Sequence, residues 1–358
     1  MQNKLKMLPF NMDFETLPVM RTLVEASRLL AEVKGQANTI PNEEILINTL
    51  VLQEAKDSSA VENIVTTHDE IFKAGIDIKV EYPAAKEIQN YITALKFGYT
   101  RLKELGIITN NIIIGIQEKL EKNKAGFRKV PGTVLKNSQG ETIYEPPQDH
   151  NEIVQLMNNL EKYLNDKEIQ NIDPLIKMSI IHFQFESIHP FYDANGRTGR
   201  ILNLLYLVNE GLLDTPILYL SRYIIQNKAD YYLHLQNIRE SETGQLASSW
   251  ENWILYMLNA VIETSKTTIE LISSMKKLIA EFSEIISEKT SFYSSDLIYT
   301  LFKHPYTKIA FLEADLRVHR QTASTYLNEL YKLNLLEKRK IGRSFYFINT
   351  KLLKLLEG

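Results

Sequence analysis

The stretch that decides the fold of this chain is His189–Arg200, which reads HPFYDANGRTGR. Its residue types suit chemistry on a nucleotide phosphate. His189 can accept a proton from an attacking hydroxyl, and the carboxylate of Asp193 is an oxygen ligand of the kind that Mg²⁺ prefers. Short motifs also occur by chance, and the alternative is a polar turn before a helix with solvated arginines. The combination of so many specified residue types in one short stretch favours the phosphate site.

The second half of this stretch has the features of an anion site at the start of a helix. A turn at 194–196 precedes the apolar run 201–205, which predicts a buried helix. The N–H groups at the N-terminus of a helix bind anions readily. Arg197 and Arg200 are three positions apart and therefore share a helical face. Their guanidinium groups can hold phosphate oxygens in a fork geometry that lysine cannot match.

The same stretch resembles the signature of Fic-domain proteins, H-x-F-x-[D/E]-[G/A]-N-[G/K]-R-x-x-R, and every defined position matches. The resemblance implies transfer of AMP from ATP to a Ser, Thr or Tyr hydroxyl of a protein, with the chain itself as one candidate target. It assigns the catalytic base to His189, an apolar anchor to Phe191 and the Mg²⁺ ligand to Asp193.

The resemblance also implies which residues bind the nucleotide phosphates. They follow Asp193 directly and are Asn195, Gly196, Arg197, Thr198, Gly199 and Arg200. Doc-like kinases of the family have lysine in place of Gly196 and lack the last arginine, so this chain favours nucleotidyl transfer over phosphorylation. Base selectivity depends on pocket shape, which leaves UTP, GTP and CDP-linked donors as alternatives to ATP. Removal of AMP is an alternative reaction within the same class.

A second motif lies upstream, where residues 58–63 read SSAVEN. It fits the inhibitory pattern of the family, [S/T]-x-x-x-E-[G/N]. Ser58 and Glu62 are four positions apart, so they share one face of a helix that we predict over about 58–72. The resemblance implies that Glu62 pairs with Arg200 and occupies the place of the γ-phosphate of ATP. The alternative is an exposed helix glutamate.

Two further segments are similar to parts of a Fic domain. The helix with Tyr232 and Arg239 corresponds to one that lines the nucleotide base, although a Tyr-Tyr pair on an apolar helix is more often core. The segment 126–147 holds six of the 25 glycines and prolines of the chain, which predicts a β-hairpin. The resemblance implies a flap that pins the target peptide by strand addition. A solvated connecting hairpin is the alternative.

The composition narrows the class of protein. The chain has 358 residues and no cysteine, which excludes disulfides and thiolate metal sites and favours a reducing compartment. The first residues lack the apolar core of a signal peptide, and no run approaches the roughly 20 apolar residues of a membrane helix. We therefore expect a cytoplasmic protein that does not enter a membrane.

Charge is concentrated at the C-terminal end. Residues 291–358 contain eleven Lys and Arg against six Asp and Glu, a net charge of +5, whereas the whole chain has −3. Three short helices, the third opening at His319, and a basic hairpin over 335–348 predict a winged helix-turn-helix. Its third helix could enter the major groove of DNA. A net charge of +5 is modest, however, so protein interaction and a structural cap stay open as alternatives.

These observations predict a mainly α protein with a Fic-type helical core, a β-hairpin flap and a C-terminal winged helix-turn-helix domain. The predicted parts are an N-terminal helical region 1–105, a Fic core 106–265, a connecting helix 266–289 and a winged-helix domain 290–358. A nucleotide-sensing, DNA-binding transcriptional regulator is the alternative function. Fic proteins often pair through the core, so the resemblance also leaves a homodimer open.

Overall fold

The computed structural model describes residues 5–40, 42–67, 70–71, 83–137, 139–242, 244–341 and 344–357. Over these ranges the chain is mainly α-helical, as predicted, with two small antiparallel sheets. The helices before residue 290 are α1 (Leu17–Ala37), α2 (Glu43–Val61), α3 (Pro83–Leu105), α4 (Asn110–Glu121), α5 (His150–Asn165), α6 (Pro174–Ile188), α7 (Asn195–Asn209), α8 (Leu220–Gln226), α9 (Lys228–Glu240) and α10 (Leu246–Lys289).

The long helix α10 connects the outer helices to the centre of the core. Helix α1 buries Leu23, Ala26 and Leu30 on one side, and this spacing of three and four residues forms an apolar stripe that packs against α10. On α10 itself, Trp253 is fully buried, and its indole N–H donates to the carbonyl of Ser179 in α6 at 2.8 Å. Helix α10 therefore links α1 to α6.

Helices α6 and α7 are central and present the motif between them. Helix α6 is buried on all sides, as expected of a helix that is apolar nearly all round. It ends because His189 adopts left-handed backbone angles, φ 49° and ψ 58°. The loop closes at Ala194, which also has a positive φ of 63°, and α7 begins at Asn195. The predicted buried helix after the turn is confirmed.

The predicted hairpin is present in the segment 126–147. Strands β1 (Leu135–Lys136) and β2 (Thr142–Tyr144) pair antiparallel. The hydroxyl of Tyr144 donates to the carbonyl of Ser187 at 2.9 Å, and Gln236 of α9 donates to the carbonyl of Ile143 at 2.7 Å. These contacts place the hairpin over the C-terminal end of α6.

The last part of the chain, here called the C-terminal module (residues 295–357), contains a three-stranded sheet in the order β3-β5-β4. Three helices precede a basic antiparallel hairpin, as predicted, and the assignment as a winged helix-turn-helix stays a prediction. Residues 342 and 343 at the hairpin turn lie outside the described residues. The elements are α11 (Ser295–Lys303), β3 (Tyr306–Thr307), α12 (Ile309–Leu316), α13 (Arg320–Lys332), β4 (Glu337–Ile341), β5 (Ser344–Ile348) and α14 (Thr350–Glu357).

The C-terminal module packs against α2 as well as α10. Lys303 of α11 pairs with Glu44 at 2.7 Å, and the side chain of Gln53 donates to the carbonyl of Leu356 in α14. The sequence did not predict this contact, because nothing local in either segment specifies a partner so distant in the chain.

Two predicted boundaries are wrong. Helix α2 continues to Val61, so Ser58 and Glu62 lie at its end and not at the start of a separate helix 58–72. Residues 68, 69 and 72 of that predicted helix lie outside the described residues. The connecting helix 266–289 is the second half of α10. Residues 43–57 and 246–265, which precede the two predicted helix starts, contain neither glycine nor proline, so each helix continues through the predicted start. None of the described helices has the length and apolar character needed to cross a membrane.

Candidate active site

The loop between α6 and α7 is closed by the side chain of Asn195. Its amide oxygen accepts from the N–H of Phe191 at 2.8 Å, and its amide nitrogen donates to the carbonyl of Phe191 at 2.9 Å. An amide can do both because it carries an acceptor and donors. Phe191 is completely buried, as expected of an anchor. The side chain of Asn195 thus closes the loop, and any contact of Asn195 with a phosphate stays a prediction.

Arg128 is a loop-positioning residue that the sequence analysis missed. It is 1% exposed, and its guanidinium donates to the carbonyls of His189 at 2.9 Å, Ile188 at 3.5 Å and Pro147. Its backbone N–H donates to Pro190 at 2.8 Å. A buried charge needs such partners. The only signal in the sequence was its place in GFRKVPG, which we interpreted as part of the flap.

His189 is held in a neutral form. Burial lowers the pKa of its imidazole to about 4, and the positive charges of Arg239 and Arg128 act in the same direction. An imidazole with this pKa is deprotonated at neutral pH, so it can accept a proton from a hydroxyl. The role of His189 as the base stays a prediction.

The N-terminus of α7 faces the same loop. The first N–H groups of a helix have no helical acceptor, and Asp193 is exposed directly before them. One oxygen of Asp193 accepts from the N–H of Ala194 at 2.7 Å. Nearby Glu121 has a raised pKa because of burial, with the charge of Asp193 as a further cause.

These residues fit Mg²⁺. A magnesium ion typically takes one or two carboxylates together with substrate phosphates. The exposed carboxylate of Asp193 could supply the metal ligand, and the N–H groups at the start of α7 could bind the phosphates. Within the described ranges, no group of three or more His, Cys, Asp or Glu side chains could hold a metal ion by protein contacts alone.

Arg197 is held by two carboxylates. Its guanidinium donates to Glu87 of α3 at 2.8 Å and to Glu121 of α4 at 2.7 Å, and its side chain is 6% exposed. Thr198 and Gly199 follow Arg197 on α7, and Gly199 lies against Phe185 and Glu186 of α6. Both are buried, and a Cβ on Gly199 would lie 2.7 Å from a carboxylate oxygen of Glu186. The roles of these residues toward a phosphate stay predictions.

Arg200 contacts the upstream SSAVEN motif directly. Its Nε donates to the hydroxyl of Ser58 at 2.8 Å, and Nη2 donates to the carbonyl of Ser58 and to Oε1 of Glu62, both at 2.9 Å. The side chain of Arg200 is 1% exposed, whereas that of Glu62 is 37% exposed. Burial alone would raise the pKa of Glu62, but the charge of Arg200 and its hydrogen bond hold that pKa below the usual value. The two form an ion pair.

The backbone at the end of α2 explains why the pattern contains Glu followed by Gly or Asn. Glu62 caps the helix, and Asn63 has a positive φ of 63°, a conformation that only glycine and a few other residues, asparagine among them, adopt readily. The N–H of Asn63 donates to Ala60 at 2.9 Å, and the N–H of Ile64 donates to Ser59 at 3.0 Å. These two bonds form a Schellman motif, which ends the helix at a defined point.

Gly196 provides the space for the Glu62 carboxylate. A Cβ at this position would collide with Oε1 of Glu62 and would lie 2.9 Å from Nη1 of Arg200. The absence of a side chain thus lets a carboxylate reach the N-terminal turn of α7. The same space is open to a phosphate whenever Glu62 is elsewhere.

The predicted base-lining residues lie on either side of this site. Tyr232 is 42% exposed, and burial raises its pKa to about 12, with Glu62 as the next cause. Arg239 lies beneath the flap, with its guanidinium 4.1 Å from the ring centre of Tyr144, and donates to the hydroxyl of Ser187 at 3.2 Å. Tyr232 is therefore near the Glu62 side of the site and Arg239 near the His189 side, and their contact with a base stays a prediction.

Three family models match consecutive parts of this chain. The model described as Fic/DOC family N-terminal matches residues 20–100, and the one described as Fic/DOC family matches residues 107–207. The third, the C-terminal domain of the adenylyltransferases described as SoFic-like, matches residues 278–352. The first model includes the SSAVEN motif at residues 58–63, and the second includes His189–Arg200.

Curated relatives match part of this chain. The protein adenylyltransferase fic-1 of Caenorhabditis elegans is 31% identical over 141 residues, 38% of this chain and 26% of that protein. A probable protein adenylyltransferase of Aquifex aeolicus is 27% identical over 211 residues, 57% of this chain and 58% of the relative. The chain thus spans less than two thirds of these relatives.

Solved structures show the same fold. A Fic family protein of Desulfovibrio desulfuricans superposes with a TM-score of 0.58 at 19% identity, covering 95% of this chain and 97% of that one. The Fic-1 protein of C. elegans superposes with a TM-score of 0.52 at 20% identity, covering 73% and 74%. The predicted Fic-type helical core is confirmed.

Proposed function

We propose, from the premise that this chain belongs to the Fic/DOC family, that it transfers AMP from ATP to a hydroxyl of a protein. The observation that carries the proposal is the ion pair between Glu62 and Arg200 at 2.9 Å. A buried arginine at the first turns of α7 is paired with a partly exposed carboxylate. Such a carboxylate can be exchanged for a phosphate, which accepts the same charge-assisted hydrogen bonds.

His189 performs the proton transfer. Its neutral imidazole takes the proton of the target hydroxyl, and the hydroxyl oxygen forms a bond to the α-phosphorus of ATP as the bond to pyrophosphate breaks. The backbone N–H groups of Gly196 and its neighbours would donate to the phosphate oxygens. These donors are fixed before the reaction, so they stabilise the developing charge without reorganisation. Arg128 supports this step by fixing the backbone carbonyl of His189.

Asp193 is the residue that would hold Mg²⁺. When bound, the metal would neutralise phosphate charge and act as a Lewis acid. The flap hairpin would hold the target segment by strand addition, next to the His189 side of the site. A chain without cysteine suits a reducing compartment, and we place the reaction in the cytoplasm.

Glu62 keeps the resting protein inactive. While it holds Arg200, the γ-phosphate has no guanidinium to bind, and the α-phosphorus is misaligned for attack by the target hydroxyl. A misplacement of about 1 Å can cost roughly 100-fold in rate. Glu62→Gly should therefore raise the rate of self-modification by about this factor, since glycine removes the competitor without adding bulk.

The test is intact-mass spectrometry of the purified chain after incubation with ATP and Mg²⁺. The wild type, Glu62→Gly and Glu62→Gly combined with His189→Ala are compared, and UTP, GTP and CTP serve as donor controls. We expect an added mass of one AMP mainly in Glu62→Gly. If Glu62→Gly gains no AMP on itself or on any protein of a cell extract, AMP transfer is the wrong function. If it transfers normally but loses removal of AMP from a modified target, Glu62 positions water instead.

A further inference from the structure

We infer that Glu54 is a positioning residue that holds the end of α2 in place and thereby keeps Glu62 on Arg200. This inference rests on the proposed function. Glu54, Ser58 and Glu62 follow one another at intervals of four residues on α2, so their side chains share one face of the helix. Ser58 and Glu62 on this face both bind Arg200 of α7.

Glu54 joins α2 to two other helices. It is 2% exposed. The hydroxyl of Tyr91 in α3 donates to Oε1 at 3.0 Å, and the backbone N–H of Ser221 in α8 donates to Oε2 at 3.1 Å. The hydroxyl of Ser221 also donates to Oε1. All three partners are donors, which is the arrangement that satisfies an ionised carboxylate in an apolar interior.

The contacts of Glu54 continue to the inhibitory pair. Ser58 lies one turn after Glu54, and its hydroxyl and carbonyl accept from Nε and Nη2 of Arg200 at 2.8 and 2.9 Å. The turn of α2 that Glu54 anchors therefore leads directly into the turn that binds Arg200. By fixing the first of these turns, Glu54 fixes the position of Ser58 and of Glu62 beyond it.

Nothing in the proposed reaction requires a carboxylate at this position, because Glu54 lies beneath the site and contacts no group assigned to the target or the nucleotide. Its effect on transfer must therefore act through α2. With the anchor weakened, the last turns of α2 sample positions in which Glu62 is away from Arg200. The population of the open state rises, and transfer rises with it.

Glu54→Gln is the sharpest substitution. Glutamine keeps the volume but has only one acceptor oxygen, which can serve either the N–H of Ser221 or the hydroxyls of Ser221 and Tyr91. The NH₂ group on the other side cannot accept, so at least one donor that binds the carboxylate loses its acceptor. Loss of a hydrogen bond to a charged group changes an equilibrium by roughly tenfold or more, so we expect about a tenfold rise in self-modification. Burial raises the pKa of Glu54 to about 7, against the lowering effect of its donors, so the assay is run at a pH above this value.

The experiment compares four proteins by the rate at which AMP is added: the wild type, Glu54→Gln, Tyr91→Phe and the control Glu210→Gln. Glu210 is also a buried carboxylate, with a side chain 5% exposed and paired with Lys167 at 2.9 Å, but it lies at the opposite end of α7. We expect activation in Glu54→Gln, weaker activation in Tyr91→Phe, and the wild-type rate in the control. Thermal unfolding shows which variants fold, and Tyr91→Phe carries the test if Glu54→Gln does not.

A second comparison shows whether Glu54 acts by positioning Glu62 or by supporting the active site as a whole. In the Glu62→Gly background, Glu54→Gln should add no further activation and should leave ATP affinity unchanged, because no competitor remains to be released. A Glu54→Gln protein at the wild-type rate, beside an active Glu62→Gly, overturns this inference and leaves the proposed function intact. Equal losses of rate in both backgrounds also overturn it, since they show that Glu54 supports the active site as a whole.

Discussion

Basic side chains gather in two regions of this molecule, the α6–α7 site and the C-terminal module, and the two regions hold them differently. The side chains of Arg197 and Arg200 are 6% and 1% exposed and pair with carboxylates from other helices. In the C-terminal module, Arg320 and Arg339 are 76% and 47% exposed and pair with acids of the same module.

The two regions differ in the partner that an anionic ligand would have to displace from each arginine. An exposed ion pair contributes little, because water and salt compete with it constantly. A buried guanidinium must keep a partner at all times, since an unpaired buried charge is strongly destabilising. We therefore expect Arg200 to exchange its carboxylate partner only for another anion, whereas an exposed arginine can exchange its partner for water or salt. The first arrangement is the one that the proposed inhibition by Glu62 requires.

The largest expected effect on the rate of AMP transfer comes from replacing His189, the proposed catalytic base. In the Glu62→Gly background, His189→Ala should lower the rate of AMP transfer by about 10²–10⁴-fold, the usual range for loss of a general base. ATP binding should change little, because the imidazole acts on the target hydroxyl. Calorimetry with ATP and the mass assay measure the two quantities. Loss of ATP binding in His189→Ala, or turnover close to that of Glu62→Gly alone, would contradict the assigned role.

The comparison between buried and exposed arginines is tested by changing one arginine of each region to lysine. In the Glu62→Gly background, Arg200→Lys should lower transfer by roughly 100-fold, because an ammonium cannot reproduce the fork geometry and the α-phosphorus is misplaced. The matched control is Arg320→Lys, which changes an exposed arginine and should leave the rate unchanged. Similar rates for the two variants would show that burial does not distinguish these arginines.

The smallest effect is expected from the exposed region. Lys338 contacts Asn328 at 2.8 Å and Arg339 pairs with Glu337 at 2.9 Å, so two of the four basic residues of the hairpin 335–348 already have protein partners. We expect alanine at Lys338, Arg339, Lys340 and Arg343 to leave AMP transfer unchanged, because none of them is assigned to the α6–α7 site. Since the net charge of residues 291–358 is only +5, we expect little DNA retardation in gel shifts. Clear retardation that weakens steeply between about 50 and 200 mM salt would instead show phosphate contacts and favour the DNA-binding alternative.

The sequence analysis succeeded where chemistry is local. The motif after His189 specifies a turn, a helix start and the groups for phosphate chemistry within one short stretch, and the structure places the turn and the helix accordingly. The predicted helix start at Ser58 was wrong. Serine is favoured at helix starts, but Ser58 and Ser59 are buried inside α2. Their burial against other helices, which a sequence does not display, decides that they continue the helix.

The sequence by itself determined the residue types of the motif, the interval between Ser58 and Glu62, and the mainly helical class, because each depends on spacing along a few turns of backbone. The pairing of Glu62 with Arg200 followed from the family resemblance and not from spacing, and only the tertiary structure decided that Arg197 meets Glu87 and Glu121. Glu62 and Arg200 are 138 positions apart, and Glu54 reaches Ser221 across 167 positions. Such distances are set by how α2, α7 and α8 pack, a property of the whole core that no local pattern encodes.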